Sequence, residues 1–160
     1  MLVGILADTH DEFDRTENAV DQLCQLGVSS LFHCGDLFSA RIIEICCRLP
    51  FYFVFGNHDA DMTRILQEAA EQYGATCLEW GGQIKLCGKT IAMVHGHLTS
   101  DLQPLLKDQP DYLFSGHFHE PKDWMVERTR RINPGALHRA DRFTVATLDL
   151  QSDELTFFDV

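Results

Sequence analysis

Positive charge is scarce in this chain: 13 lysines and arginines stand against 24 aspartates and glutamates, for a formal net charge of −11. Long-range repulsion on that scale argues against a nucleic-acid backbone or an anionic membrane as the main partner. No C-x-x-C pair occurs among Cys24, Cys34, Cys46, Cys47, Cys77 and Cys87, and the vicinal Cys46-Cys47 reads as two faces of a helix. Spacing of this kind suits small core hydrophobes in a reducing compartment rather than disulfides or a zinc clip. No basic n-region precedes the N-terminal "MLVGILADTH", whose apolar run is too short for a signal h-region or a membrane span. The expected location is therefore cytoplasmic. Repeats, low-complexity tracts and linkers are also absent, so a single domain over residues 1–160 is expected. With 160 residues and 45% hydrophobic content, that domain can bury a core without disulfides or structural metal.

What is present is an alternation of short apolar runs and amphipathic segments. The run Leu2 to Ala7 suits a buried strand, and residues 14–26 place Ala19, Val20, Leu23 and Leu26 near helical spacing, with Asp14 able to cap and Gly27 to stop the helix. The pattern recurs as "SLFHCGD" before a helix over 39–48, and as "FYFVFGNHD" before a helix near 61–73. Three strand–helix units imply an α/β chain with a parallel sheet and helical crossovers. Beyond Gly74 the texture becomes strand-rich, with Gly-Gly and Gly-Lys turn signals, a short helix over 99–107, and hairpin-like segments to the end.

Each apolar strand ends in a small cluster of Gly, Asp, Asn or His: "ILADTH", "LFHCGD", "VFGNHD", "AMVHGH" and "LFSGHFH". Ligands of open α/β sheets bind outside the carboxyl ends of the strands, so these loops should meet at one rim. They would bring together Asp8, His10, Asp36, Asn57, His58, His95, His97, His117 and His119. In the last cluster, alternation sets Phe118 on one side of the chain and both imidazoles on the other. Neutral imidazoles, carboxylates and a carboxamide suit divalent transition metals, and the set is too rich for one ion. Two cations at roughly 3.5–4 Å need a bridging anion, and Asp36, between the others in chain order, is the natural bridge. Glycines ahead of Asp36, Asn57, His97 and His117 would let the backbone turn sharply there. Taken singly, a D-x-H could be a turn with a helix cap, and "GNHD" a loop whose Asn tolerates positive φ. Five clusters in five matching positions are another matter, because independent accidents multiply.

In order, D-x-H, G-D, G-N-H-D, H-G-H and G-H-x-H resemble the signature of the calcineurin-like metallophosphoesterases, from residue 8 to residue 119. The length and the "NPGA" at 133–136 are similar to the small bacterial and archaeal phosphodiesterase branch, whose fold is shared with a retromer scaffold subunit. This resemblance implies two stacked mixed β-sheets flanked by helices, a four-layer αββα sandwich. It further implies that Asp8, His10 and His119 hold one ion, that Asn57, His95 and His117 hold the other, and that Asp36 is shared. His58 then resembles the family's acid, which protonates the leaving alkoxide or stabilises the phosphoryl oxygens. Its neighbour Asp59 is a candidate to orient that imidazole.

The expected activity is that of a dinuclear metal-dependent phosphoesterase. A phosphodiesterase for small soluble phosphate diesters is favoured, working by in-line attack of a metal-bridging hydroxide. Mn²⁺ is the expected ion, with Fe²⁺, Ni²⁺ and Zn²⁺ compatible with the same ligands. A phosphomonoesterase or nucleotidase, and an inert metal-binding interaction module, are the alternatives. "GDLFSAR" lacks the Asp-Arg pair of the protein phosphatases' G-D-x-V-D-R-G, which disfavours that activity. His97 is assigned either to support of His95 or to substrate contact. "GGQIKLCGKT" is no P-loop, since five residues rather than four separate Gly82 from Gly88. Arg128, Arg130 and Arg131 alternate as on an exposed strand face, while Phe51, Phe53 and Phe55 read as a core-facing stripe. A homo-oligomer is left open.

Overall fold

A computed structural model describes residues 1–160. β1 (Leu2–Leu6), β2 (Leu31–His33), β3 (Phe51–Phe53) and β4 (Thr76–Cys77) run parallel, and the helices between them, α1 (Phe13–Gln25), α2 (Ala40–Cys46) and α3 (Thr63–Tyr73), cross over the same face. β10 (Thr144–Asp149) adds antiparallel to the free edge of β1 and β11 (Leu155–Asp159) antiparallel to β10, giving the order β11-β10-β1-β2-β3-β4. The second sheet has the order β5-β6-β7-β9-β8, from β5 (Gly81–Leu86), β6 (Lys89–Val94), β7 (Tyr112–Phe114), β8 (Pro121–Val126) and β9 (Thr129–Pro134). Its central β6-β7-β9 pairs are parallel and its flanking pairs antiparallel, so both sheets are mixed.

β1 shows why such strands read as unbroken apolar runs. Leu6 packs with Ala19, Val20 and Leu23 of α1, whereas Val3, Ile5 and Ala7 pack toward Ile91, Met93 and Phe114 of the other sheet. Both faces are buried, so no polar alternation survives. Phe51, Phe53 and Phe55 lie on the helix side, and Leu102, Leu105 and Leu106 of α4 (Thr99–Lys107) cover Ala92, Val94 and Leu113 on the outer side of the second sheet. The layers are thus helices, sheet, sheet, helix. No helix is long and apolar enough to cross a membrane.

Several local expectations are corrected. α1 starts at Phe13, and its N-cap is Glu12, which makes no side-chain cap bond; Asp14 sits inside the first turn, where its charge favours the helix dipole without capping it. Cys46 is buried in α2, but Cys47 is its C-cap. All six cysteines are free. Gly81 and Gly82 belong to β5 rather than to a turn; a Cβ on Gly82 would lie 3.2 Å from Leu78 Cβ, so close packing favours glycine there. The hairpin turn is Cys87-Gly88, both at positive φ. Arg131 is 8% exposed because β9 is an interior strand between β7 and β8. Its guanidinium lies 4.8 Å from the Trp124 ring and its Nε donates to Ser115 Oγ at 3.1 Å. Arg130 is paired with Asp123 and Asp153.

Candidate metal centre

The loops after β1, β2, β3, β6 and β7 all leave the carboxyl ends of their strands and knit together by backbone hydrogen bonds. Asp8 N donates to Gly35 O (3.0 Å), His10 N to Asp36 O (3.1 Å) and Gly116 N to His95 O (3.1 Å). Spacing is so tight that a Cβ on Gly56 would fall 2.0 Å from Asp36 Oδ1, and one on Gly116 2.8 Å from Asp8 Oδ2. Neither glycine has a positive φ, so space rather than turning dictates the residue at these two positions. Asn133 of "NPGA" fastens the β7 loop from below, donating through Nδ2 to Gly116 O at 2.7 Å.

At the centre, Asp36 Oδ2 stands 3.3 Å from His10 Nε2 and 3.4 Å from His95 Nε2. Asp8 Oδ1 lies 3.3 Å from His119 Nε2 and 3.9 Å from His95 Nε2, and Asn57 Oδ1 is 3.1 Å from His95 Nε2. Two sets of donor atoms, Asp8/His10/His119 and Asp8/Asp36/His95, each lie within 4.8 Å of one another. His95 Nδ1 meets Cys34 O at 2.8 Å and His119 Nδ1 meets Arg139 O at 3.2 Å. Nδ1–H donation to these carbonyls leaves both Nε2 lone pairs turned to the centre, as in metal-binding imidazoles. Asp8 Oδ1 and His10 Nε2 are buried with no hydrogen-bond partner. Orphaned donors and acceptors of this kind are costly in a native fold, and a divalent cation among them would satisfy both, so the residues present fit the metals.

The charges follow the same grouping. Burial alone would raise the Asp36 carboxyl, but the His10 and His95 rings beside it hold it far below the ordinary range. Burial works to lower His95, and Asp36 and Asp8 raise it overall. Asp8 also raises His119, while burial and the neighbouring His95 lower His117 and His97.

A cavity of about 440 Å³ opens over this centre, lined by His10, Asp36, Phe38, Asn57, His58, His117, His119, His138 and Arg139. His117 donates its backbone N–H to Asp8 Oδ2 at 3.0 Å and turns its ring to the cavity. His58 is exposed there, its backbone N–H bonded to Asp36 Oδ1 at 2.9 Å and its ring centroid 5.2 Å from that of His10. Asp8, His10, Asp36, Asn57, His95, His117 and His119 are therefore drawn together, with His58 at their edge.

Asp59 is used differently from the expectation. Its carboxylate accepts four backbone N–H groups: Asp36 (2.8 Å), Leu37 (3.2 Å) and Gly56 (2.8 Å) on Oδ2, and Phe38 (2.9 Å) on Oδ1. It is turned to these backbone groups and makes no hydrogen bond to the His58 ring. His97 is outside the cavity wall and makes no hydrogen bond; its ring lies 5.4 Å from His95 and 6.1 Å from His117, with Nδ1 buried and unpartnered.

Sequence reasoning passed over Phe38, His138, Arg139 and His33. His138 and Arg139 follow β9, which is parallel to β7, so "NPGALHR" is a sixth strand-end cluster and could have been found by the rule that found five. His33 is wholly buried in β2, taking Gly35 N–H on Nδ1 (3.2 Å) and facing Thr9 Oγ1 through Nε2 (3.0 Å), and burial pushes its pKa down to about 3.

The family model for the calcineurin-like phosphoesterase superfamily domain matches residues 1–153. The chain belongs to the calcineurin-like phosphoesterase superfamily. Membership makes it a metal-dependent phosphoester hydrolase, and the sandwich described above is this superfamily's fold. Phosphodiesterase MJ0936 of Methanocaldococcus jannaschii is 25% identical over 138 residues, covering 84% of this chain and 83% of that protein. A solved archaeal phosphodiesterase superposes with a TM-score of 0.89 at 24% identity, over 100% of both chains. Zinc-bound Vps29 from Entamoeba histolytica matches with a TM-score of 0.62 at 18% identity, over 99% of this chain and 91% of that one.

Proposed function

We propose that the chain is a dinuclear phosphodiesterase for small soluble phosphate diesters. The observation that carries this reading is the position of Asp36 Oδ2, nearly equidistant from His10 Nε2 at 3.3 Å and His95 Nε2 at 3.4 Å. One carboxylate oxygen between two imidazole nitrogens is where a bridge between two cations belongs. Asp8, His10 and His119 would hold one ion and Asn57, His95 and His117 the other. Bound there, a pair of divalent ions supplies a water acidified toward neutrality and positive charge for the phosphoryl oxygens.

The chain's own residues do the rest. Asp36 keeps its charge at neutral pH, being held far below the ordinary carboxylate range, so the bridge is always available as an anion. His58 reaches the cavity from a backbone fixed by Asp36, and an imidazole at that edge can give a proton to the departing alkoxide. Arg139 also lines the cavity, and its guanidinium has no carboxylate within 4.0 Å, unlike those of Arg15, Arg41, Arg48, Arg64, Arg130 and Arg142. A free guanidinium in so acidic a chain is suited to the substrate's anionic oxygens. Mn²⁺ is the ion proposed, on the hard–borderline mixture of carboxylate, carboxamide and imidazole donors. Six free cysteines accord with a reducing, cytoplasmic setting.

The test compares turnover of bis(p-nitrophenyl) phosphate and p-nitrophenyl phosphate with added Mn²⁺, alongside metal analysis. Two ions per chain and a higher kcat/KM on the diester are expected. One ion or none at saturating Mn²⁺, or a preference for the monoester, would overturn the reading.

A further inference from the structure

His95 and His119 are held by polar bonds through Nδ1, to Cys34 O and Arg139 O, but the His10 imidazole has no such anchor. Its Nε2 faces Asp36 Oδ2 at 3.3 Å on the metal side without a hydrogen bond of good geometry, and the faces of the ring are met by aromatic groups. The His138 ring stacks on it with centroids 4.6 Å apart and planes at 25°, and Phe38 packs at 4.8 Å and 41°. We propose that His138 is a positioning residue that fixes the His10 imidazole, by ring stacking, in the orientation that binds metal. The inference rests on the assignment of His10 as a metal ligand.

The stack is itself braced. His138 Nδ1 is 2.9 Å from Glu12 Oε1, and Glu12 Oε2 is 3.3 Å from Arg15 Nη1. Arg15 also donates to Leu137 O, one residue before His138, and its guanidinium carbon lies 3.7 Å from the Phe143 ring centroid. The loop carrying His138 is tied to its neighbours by the Leu137 N to Ala7 O bond and by a bridge between Ala136 and Phe143. Glu12 is two residues after His10 and stands at the N-cap position of α1, with its carboxylate turned to His138 and Arg15 rather than to a cap bond. The chain of contacts therefore runs from helix α1 through Glu12 and His138 back to His10, so the ring is set by the frame of the fold. Outer partners of metal-bound imidazoles contribute about 10–100-fold to metal affinity when they are removed, chiefly by keeping the ring in place before the ion arrives. Here a face-to-face contact does what a carbonyl does for His95 and His119.

Mn²⁺ titration of the full chain, followed by calorimetry and by the EPR signal of spin-coupled Mn²⁺ pairs, tests this. In His138→Ala one of the two sites should weaken about tenfold or more, with loss of the coupled-pair signal at limiting Mn²⁺, while the other site keeps its affinity. His138→Phe, which retains a ring but loses the Glu12 bond, should recover most of the loss. Equal affinity of both sites in wild type and His138→Ala would overturn the proposal, and so would equal weakening of both. Should His138→Ala fail to fold, His138→Phe still decides: a folded His138→Phe with one site weakened about tenfold or more relative to wild type shows that stacking is not what holds His10. A wild-type chain that binds no Mn²⁺ pair fails on the proposed function instead, whatever His138 does.

Discussion

Removing the carboxylate of Asp59 should unfold the frame of the site before it touches the chemistry. Asp59 is wholly buried, and its two oxygens take four backbone N–H groups, from Gly56 in the loop after β3 and from Asp36, Leu37 and Phe38 in the loop after β2. These are the loops that deliver Asn57 and Asp36. Asp59→Ala leaves four donors without an acceptor, at about 1–3 kcal/mol for each buried orphan. Water entering the vacated space and the relief of a desolvated carboxylate offset part of that, so a loss of about 4 kcal/mol is expected, from a fold whose total stability is on the order of 5–15 kcal/mol. In Asp59→Asn the amide oxygen can replace Oδ2 and keep three donors, but the NH₂ then opposes the Phe38 N–H, for a cost of about 1–3 kcal/mol. The ranking of the two variants is thus set by how many N–H groups each strands.

Urea unfolding of both variants, with kcat on bis(p-nitrophenyl) phosphate measured on the folded fraction, separates this from a role through His58. A frame residue lowers the unfolding midpoint in the order Ala more than Asn, and lowers metal affinity with it. If Asp59→Asn unfolded at the wild-type midpoint and bound two ions normally, yet lost kcat, the clamp would be irrelevant and an action on His58 would have to be restored.

Three other outcomes are expected. Asp36→Asn should cut bound metal to at most one ion per chain by elemental analysis, with turnover lost, because a carboxamide cannot supply the bridging charge; two ions retained with full activity would dismiss the bridge. His58→Ala should keep both ions and lower kcat by about 10²–10⁴-fold, and an unchanged kcat would remove the acid role. His33 has a folded pKa of about 3 against an ordinary value of 6.5, so above pH 6.5 its contribution to stability is complete. As pH falls from 6.5 toward 3 the unfolded chain takes up a proton the folded chain refuses, and stability drops by up to about 1.4 kcal/mol per pH unit. Urea midpoints between pH 5 and 7 should therefore fall more steeply in wild type than in His33→Gln, and parallel curves would refute the assignment.

The parts legible in the sequence are those where one local pattern has one physical cause. β1 to β3 read correctly because burial on both faces leaves nearly unbroken apolar runs, interrupted by the hydrogen-bonded His33, and α3 because Leu66, Ala69 and Ala70 share a face and Gly74 adopts φ +76 at its end. Seven metal-ligand candidates were legible because a parallel strand has one carboxyl end and the polar residues sat there. Arg131 misled because its strand's interior place in the sheet is invisible to alternation, and Gly81-Gly82 because close packing and turning call for the same residue. The positions of Asp59 and His138 were within reach of the sequence but their roles were not: the acceptor role of one and the stacking role of the other exist only between segments far apart in sequence, such as Glu12 and His138.

Backbone strain ties the site to the frame. Thirteen non-glycine residues have positive φ, and eight of them, Asp8, His10, Asp11, Asp36, Phe38, His117, His119 and Arg139, surround the metal centre; the rest, Glu79, Cys87, Gln109, Glu127 and Asp153, lie in turns and loops away from it. A left-handed residue with a Cβ costs on the order of 1 kcal/mol, and glycine would remove the cost. At Asp8, His10, Asp36, His117 and His119 glycine would also remove the side chain that the fold delivers there, so the strain is retained by the chemistry and must be over-determined by neighbouring contacts. The Asp59 carboxylate on three successive N–H groups, Asp36 to Phe38, is such a contact; Asn133 on Gly116 and Cys34 on His95 are others. The proposed ligands are accordingly set before any ion binds, and substitutions in these bracing groups should change metal affinity even though none of them is among those ligands.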